Sequence, residues 1–264
     1  MTNKNNFYRK NFGDMLTKYN YNIHPGDIVA GTIFHKELQG FLVDIGINIA
    51  GYLPKEEIFL NSNNVNKETI KYLINETREF FILAYNPKSR QLILSIKRLD
   101  YIRARKRIQQ LAIEDNILYL HIKNINRGGI ITYLEGLQSF IPKSHLITNY
   151  SSISSVNKII KCKLLINNEK INQIILSTKR AALDISSKKL KIGNIVDGEI
   201  TQITKYGVFI KIYNIISLLH ISEIGDKYIN NIYKVFKIGK KLKVKIIHID
   251  MEQGRLSVSR RNLN

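Results

Sequence analysis

Apolar and polar residues alternate along much of this chain with a period of two, and the alternation is clearest from Ile195 to Ser259. Ile195–Ile203 carries spaced apolar residues around a central Gly198, which permits sharp coiling of a first strand. After the turn at Tyr206-Gly207, Val208, Ile210 and Ile212 share one side of a second strand, and Phe209 and Lys211 take the other. Ser217–Ile221 predicts a third strand, with a loop or single helical turn at Ser222-Glu223. Over Lys241–Asp250 the apolar parity switches from Leu242, Val244 and Ile246 to Ile247 and Ile249. A bulge between Ile246 and Ile247 would keep both sets inside, and strands bent in this way are what closing a small barrel requires. Leu256–Ser259 supplies a fifth strand, so the unit reads as a small Greek-key barrel of the OB type.

The pattern recurs. Leu94-Ser95, Leu176-Ser177 and Leu256-Ser257 each close a unit, with steps of 82 and 80 residues between the serines. Turn glycines at Gly40, Gly129 and Gly207 are followed 13 or 14 residues later by Pro54, Pro142 and His220, the middles of Leu53-Pro54-Lys55, Ile141-Pro142-Lys143 and Leu219-His220-Ile221. Two sets of landmarks in the same order predict a tandem array. The fold class is therefore mainly β, three five-stranded OB-type barrels joined by short helical linkers.

Between the barrels, Leu99–Glu114 lacks glycine and proline and places Tyr101, Ala104, Ile108 and Leu111 at helical spacing. Ala181-Ala182-Leu183 predicts a shorter joint. Near the start, Phe12, Met15, Leu16 and Tyr19 form a helical stripe, which suits either packing on the first barrel or anchoring to a partner. The expected organisation is an extension over 1–24, barrels over 25–98, 116–180 and 191–261, and linkers over 99–115 and 181–190.

Lysine and arginine total 41 against 21 acids, a formal charge of +20. This excess favours a polyanionic partner. No apolar run approaches the ~20 residues that span a bilayer, and the basic residues are interleaved with strands rather than gathered on one helix, so no membrane partner is expected. From Ser186 onward 15 basic residues face 6 acids, which concentrates +9 of the charge there. Cys162 is the only cysteine and alternates with lysines in a strand-like run, as a packed core thiol would. The chain starts without a hydrophobic signal region or an amphipathic transit segment. Isoleucine, asparagine and lysine are abundant, as in products of AT-rich genomes. Together these suggest a chain encoded by an organelle and made where it works, with the cytoplasm of an AT-rich bacterium as the alternative; the resemblance given below narrows the organelle to the plastid stroma.

The outward positions of the third unit carry the candidate chemistry. Tyr206 and Phe209 flank its first turn, Lys211 shares the outward side of the second strand with Phe209, His220 lies on its third strand, His248 and Asp250 follow the parity switch, and Arg255 opens the fifth strand. Aromatic rings beside cations offer stacking surfaces for unpaired bases and countercharge for phosphates, which suits single-stranded RNA. The six histidines are scattered without metal spacing, and no acid cluster suggests a magnesium site. No metal, cofactor, small-molecule substrate or catalytic activity is therefore expected.

Gly193, Val196-Asp197-Gly198, Tyr206-Gly207-Val208-Phe209-Ile210, Leu218-Leu219-His220-Ile221-Ser222-Glu223 and Leu256-Ser257-Val258-Ser259 together resemble the S1 RNA-binding domain motif. The wider chain, including Pro25-Gly26-Asp27-Ile28-Val29 and Asn126-Arg127-Gly128-Gly129, resembles the short three-domain S1 proteins of cyanobacterial and plastid ribosomes. The resemblance implies a protein of the small ribosomal subunit, contacting ribosomal RNA and proteins and holding messenger RNA for initiation. It implies RNA-facing roles for Tyr206, Phe209, His220, Asp250 and Arg255. The first unit departs from this set with Gln39, Leu42 and Pro54, and the second with Gly128, Ile131 and Pro142. The third barrel is accordingly expected to be the main RNA-binding unit, and the first two to dock on RNA backbone or ribosome. A free RNA-binding protein acting in transcript stability or processing would need the same face. An S1-containing ribonuclease would need a catalytic constellation that the sequence does not supply.

Overall fold

The computed structural model describes residues 23–47, 49–60, 73–86, 88, 91–147, 158–225 and 232–263, and the helical stripe expected at Phe12, Met15, Leu16 and Tyr19 lies outside them. The chain forms two compact units, 1–107 and 108–264.

In the first unit, β1 (Ile28–Lys36), β2 (Gly40–Asp44), β3 (Gly51–Pro54), β4 (Thr77–Asn86) and β5 (Gln91–Ser95) close into a barrel in the order β1-β2-β3-β5-β4. Inward residues alternate along each strand, and Ile33, Phe41, Val43, Leu53, Phe80, Ile82, Leu92 and Leu94 are removed from solvent almost completely. A 3₁₀ turn, Lys55–Glu57, follows β3. Helix α1 (Ile96–Glu114) starts where β5 ends, and Ser95 Oγ accepts a hydrogen bond from Arg98 N–H at 2.8 Å. This caps one of the helix's unpaired donors. Along α1, Ala104, Ile108 and Leu111 are buried, and Arg98 and Arg105 each lie 5.4 Å from the centre of the Tyr101 ring.

The second unit contains two modules. Its C-terminal part, β12 (Ile195–Thr204), β13 (Gly207–Ile212), β14 (Ile215–His220), β15 (Lys241–Asp250) and β16 (Arg255–Ser259), closes as β12-β13-β14-β16-β15. Its first part comprises β6 (Leu118–His121), β7 (Asn124–Asn126), β8 (Gly129–Leu134), β9 (Leu137–Pro142), β10 (Ile159–Asn168) and β11 (Gln173–Ser177), followed by helix α2 (Thr178–Ser186). These strands form a six-stranded sheet in the order β6-β10-β11-β9-β8-β7, which does not close. The sequence pattern predicts three closed barrels; the structure has two, with an open module between them.

One position on the first strand sets the two closed barrels apart from the open module. Nine residues before the turn glycine stand Gly31, Leu120 and Gly198. A Cβ on Gly198 would meet Ile210 Cγ2 at 2.4 Å and Ile212 Cγ1 at 2.8 Å, and one on Gly31 would meet Val43 Cγ1 at 2.8 Å. The first strand can therefore coil tightly over its neighbours only without a side chain there. Leu120 prevents this, and the strand breaks at Ile122-Lys123. Its first half stays with β10 and its second with β8. Ile122 and Ile130 still bury their side chains, so the module keeps an apolar interior behind an open seam.

Other devices recur in all three modules. The long fourth strand carries a register shift at Ile82/Ala84, Leu164/Ile166 and Ile246/His248. In the third barrel this is where the apolar parity switches. The extra residue is Ile247, which turns outward at 39% exposure rather than joining the core, while Ile249 packs inward. The fifth strands share one burial pattern, which aligns Ser95 and Ser177 with Ser259 instead of Ser257. The structural repeat is thus 82 residues in both steps. The reason for the conservative spacing is a lock. Each of these serines reaches the 3₁₀ turn after the third strand: Ser95 Oγ donates to Glu57 Oε2 at 2.7 Å, Ser177 Oγ lies 3.0 Å from His145 Nδ1, and Ser259 Oγ donates to Glu223 O at 3.5 Å.

Cys162 lies fully buried opposite Leu118 on β6, with Sγ 3.9 Å from Leu118 O. Burial pushes its thiol up to about 12, so almost no thiolate exists at neutral pH. Native protein is expected to leave an aromatic disulfide reagent unreacted, releasing one equivalent of thiolate only on addition of denaturant. Fast native labelling would instead mean that β6 detaches from β10 at the open seam.

Candidate nucleic-acid interface

The third barrel presents its candidate residues because the β pleat divides each strand between core and surface. Val208, Ile210 and Ile212 are fully buried on β13, which turns Phe209 and Lys211 outward. Phe209 is half-buried, and Tyr206, just before the strand, is 52% exposed. Their ring centroids lie 6.1 Å apart with planes at 89°, an edge-to-face pair. The turn that carries Tyr206 is fixed by Ile221 N–H donating to Tyr206 O at 3.0 Å and Thr204 Oγ1 donating to Gly207 O at 2.9 Å. Gly207 faces His220 across the β13–β14 ladder, so the histidine stands beside the aromatic pair. Ser222 N–H donates to His220 Nδ1 at 3.3 Å, which leaves Nε2 as the protonated nitrogen of the neutral ring.

Strand register places the remaining residues. Phe209 faces Leu218, Leu218 faces Ser257, and Ser257 faces His248, a row running from β13 to β15 across two intervening strands. One row further along, Lys211 faces Ile216, while Arg255 faces Asp250 across the β15–β16 ladder. Lys211, His220, His248 and Arg255 are exposed; Asp250 is half-buried. Asp250 also has a local task, because its Oδ1 accepts the Gln253 N–H at 2.8 Å and holds the β15–β16 turn. Arg255 lies two strands and one row away from Phe209 on this face, so the face spans more than one nucleotide. The surface offers ring faces at one end and a guanidinium at the other. Chemically it can stack unpaired bases and neutralise the connecting phosphate.

In place of Tyr206 and Phe209 the first barrel has Gln39 and Leu42 and the open module Gly128 and Ile131, yet both modules place a ring on the same outward row. It comes from one strand over. Leu42 faces Tyr52 in the first barrel and Ile131 faces Phe140 in the open module, where the third barrel pairs Phe209 with Leu218. A Cβ on Gly40 would lie 2.7 Å from Tyr52 Cζ, and one on Gly129 would lie 2.9 Å from Phe140 Cζ, so each ring rests on its turn glycine. Reading single strands misses this exchange; comparing cross-strand partners in the repeats would find it. Among the described residues, no group of three or more histidine, cysteine or acidic side chains is arranged to hold a metal ion.

The S1 RNA binding domain model matches residues 23–97 and 189–261, the two stretches that form closed barrels. The small ribosomal subunit protein bS1c of Porphyra purpurea is 51% identical over 261 residues, covering 99% of this chain and 98% of that protein. The bS1c of Pyropia yezoensis shows the same identity and coverage. The small ribosomal subunit protein bS1A of Synechocystis is 39% identical over 257 residues, 97% of this chain and 78% of the relative. Full-length identity at this level, together with two matched domains in the places where the barrels close, shows that the chain belongs to the bS1 family of small ribosomal subunit proteins, built on S1 RNA binding domains.

Proposed function

We propose that the chain serves the small ribosomal subunit of a plastid by holding single-stranded messenger RNA on the outer face of its third barrel during initiation. The observation that carries this reading is the exposed Tyr206–Phe209 pair beside His220, with Lys211 and Arg255 further along the same face. Paired rings on a convex sheet fit splayed bases better than a stacked duplex, whose base faces are hidden. The first barrel and the open module rest single rings, Tyr52 and Phe140, on their turn glycines, with Gln39 and Gly128 where the third barrel adds the exposed Tyr206. Their assigned task is anchoring to ribosomal RNA and proteins.

The charge of +20 sets a measurable signature. Neutralising about four phosphates of a single strand gives a salt slope of about −3, so affinity should fall about fiftyfold for a fourfold rise in salt. Single-stranded RNA should outcompete duplex of equal length, and the protein should co-sediment with small subunits at moderate salt. Preference for duplex, or affinity that ignores salt, would reject the stacking mechanism. Binding to free RNA without co-sedimentation would support a soluble RNA-binding role in its place.

A further inference from the structure

The open module and the third barrel meet within one compact unit, and α2 belongs to both. Leu183 on α2 is 1% exposed inside the third barrel's core cluster, while Arg180 and Asp184 on the same helix bond to the open module. The β15–β16 turn then seats against the start of α2. Gly254 is buried there at φ +69°, and a Cβ on it would lie 2.8 Å from Lys179 Cβ and 2.9 Å from Arg180 N. Both the backbone conformation and the close approach call for glycine. Beside this contact opens a cleft of about 500 Å³ with His145, Ile166 and Arg180 on one wall and Glu252, Gln253 and Arg255 on the other.

Arg180 and Arg255 on the cleft walls, with Lys179 at the Gly254 contact on its edge, outnumber Glu252, the one acid of the lining. Arg180 is engaged, with Nη2 3.1 Å from Asp115 Oδ1 and Nη1 donating to Leu164 O at 2.7 Å. Lys179 and Arg255 have no acid within 4.0 Å among the described residues. They lie close enough to repel each other. Burial and then the Arg255 charge hold Lys179 below the usual lysine range, and burial followed by Lys179 and Arg255 holds His145 below the usual histidine range. Lys179 is half-buried and Arg255 exposed, and like charges held together are unfavourable unless an anion enters. Arg255 belongs at once to this cleft and to the outward face described above.

We propose that this cleft is a phosphate seat where Arg255 and the His145 ring on its walls and Lys179 at its edge receive the RNA backbone as it leaves the third barrel and passes onto the open module. The proposal rests on the reading of the third barrel as the base-stacking surface, and the two can be separated by oligonucleotide length. Full-length protein is titrated with oligouridylates of about 4 and about 12 nucleotides, within the range one to several such barrels occupy. Lys179→Gln is expected to bind the short oligomer like the unmodified protein. It should bind the long one about tenfold more weakly, as loss of a charged contact implies, with a salt slope shallower by about 0.7. Lys179→Arg, which keeps the charge, should restore long-oligomer affinity and thereby exclude misfolding as the cause. Phe209→Ala should weaken both lengths. Unchanged long-oligomer affinity and salt slope in Lys179→Gln overturn the cleft even if Phe209→Ala keeps its effect. A short-oligomer affinity untouched by Phe209→Ala overturns the third-barrel surface instead.

Discussion

Ile210→Ala should lower the stability of the third barrel by about 2–5 kcal/mol, while Phe209→Ala, one residue away, should leave stability nearly intact and weaken single-stranded RNA binding by about 1–3 kcal/mol. The two side chains leave the same strand on opposite faces. Ile210 is 0% exposed and packs in the core with Val208, Ile212, Leu219, Val244 and Val258. Its truncation leaves a cavity walled by five strands that hydrogen-bond to one another around a closed ring, so little collapse can refill it. Phe209 touches Tyr206 edge-on and otherwise faces outward, so its removal deletes a stacking surface without opening the core. Thermal melts and RNA titrations, made where each variant is still folded, separate the effects. A Phe209→Ala protein that melts far below wild type but binds RNA normally would show that the ring is structural and the assigned face wrong.

Replacing both Asp115 and Asp184 by asparagine should destabilise the open module by about 3–5 kcal/mol, whereas Lys163→Met should cost much less. Lys163 sits on β10 with its side chain 7% exposed, and its Nζ lies 2.7 Å from Asp115 Oδ2 and 3.0 Å from Asp184 Oδ2. The acids are far better solvated, at 47% and 37% side-chain exposure. The asymmetry decides the outcome. Removing the acids strands an ammonium in a low-dielectric site, but removing the ammonium leaves two carboxylates that water can still reach. Asparagine is the fair replacement at 115, since that residue adopts φ 45° after α1 and asparagine tolerates the left-handed region. Denaturant melts of the two variants beside the unmodified protein test this. Equal damage from Lys163→Met would mean that the network contributes net attraction beyond satisfying a buried charge.

Much of the candidate site is legible in the sequence because it depends on strand parity alone. Once Val208, Ile210 and Ile212 are recognised as the inward set, Phe209 and Lys211 must face out, and the turn glycine must bring Tyr206 to His220. The parity switch in β15 is legible too, although alternation alone does not say which residue is extruded. The backbone places the bulge so that Ile247 is left outside and His248 regains pairing with Ser257. The closing serine shows the same limit. Leu256-Ser257-Val258-Ser259 repeats its own two-residue pattern, so a strand reading fits either serine, and only burial at the end of β16 and the approach to Glu223 single out Ser259.

The sequence by itself determined the tandem repeat, the inward and outward faces of the third barrel's strands apart from Ile247, the helical joints and the basic partner preference, because all of these follow from local periodicity and composition. Tertiary structure decided three things that periodicity does not contain. Whether a barrel closes depends on how near a first strand comes to its neighbours, and Leu120 stops in the open module what Gly31 and Gly198 allow in the others. Which strand supplies a module's ring depends on cross-strand register, which moves it from Phe209 to Tyr52 and Phe140. The meeting of Lys179 with Arg255, 76 positions apart in the chain, depends on Gly254 seating against α2. Each is a matter of side-chain volume and charge at long-range contacts, where the energy belongs to pairs of residues that no local window holds together.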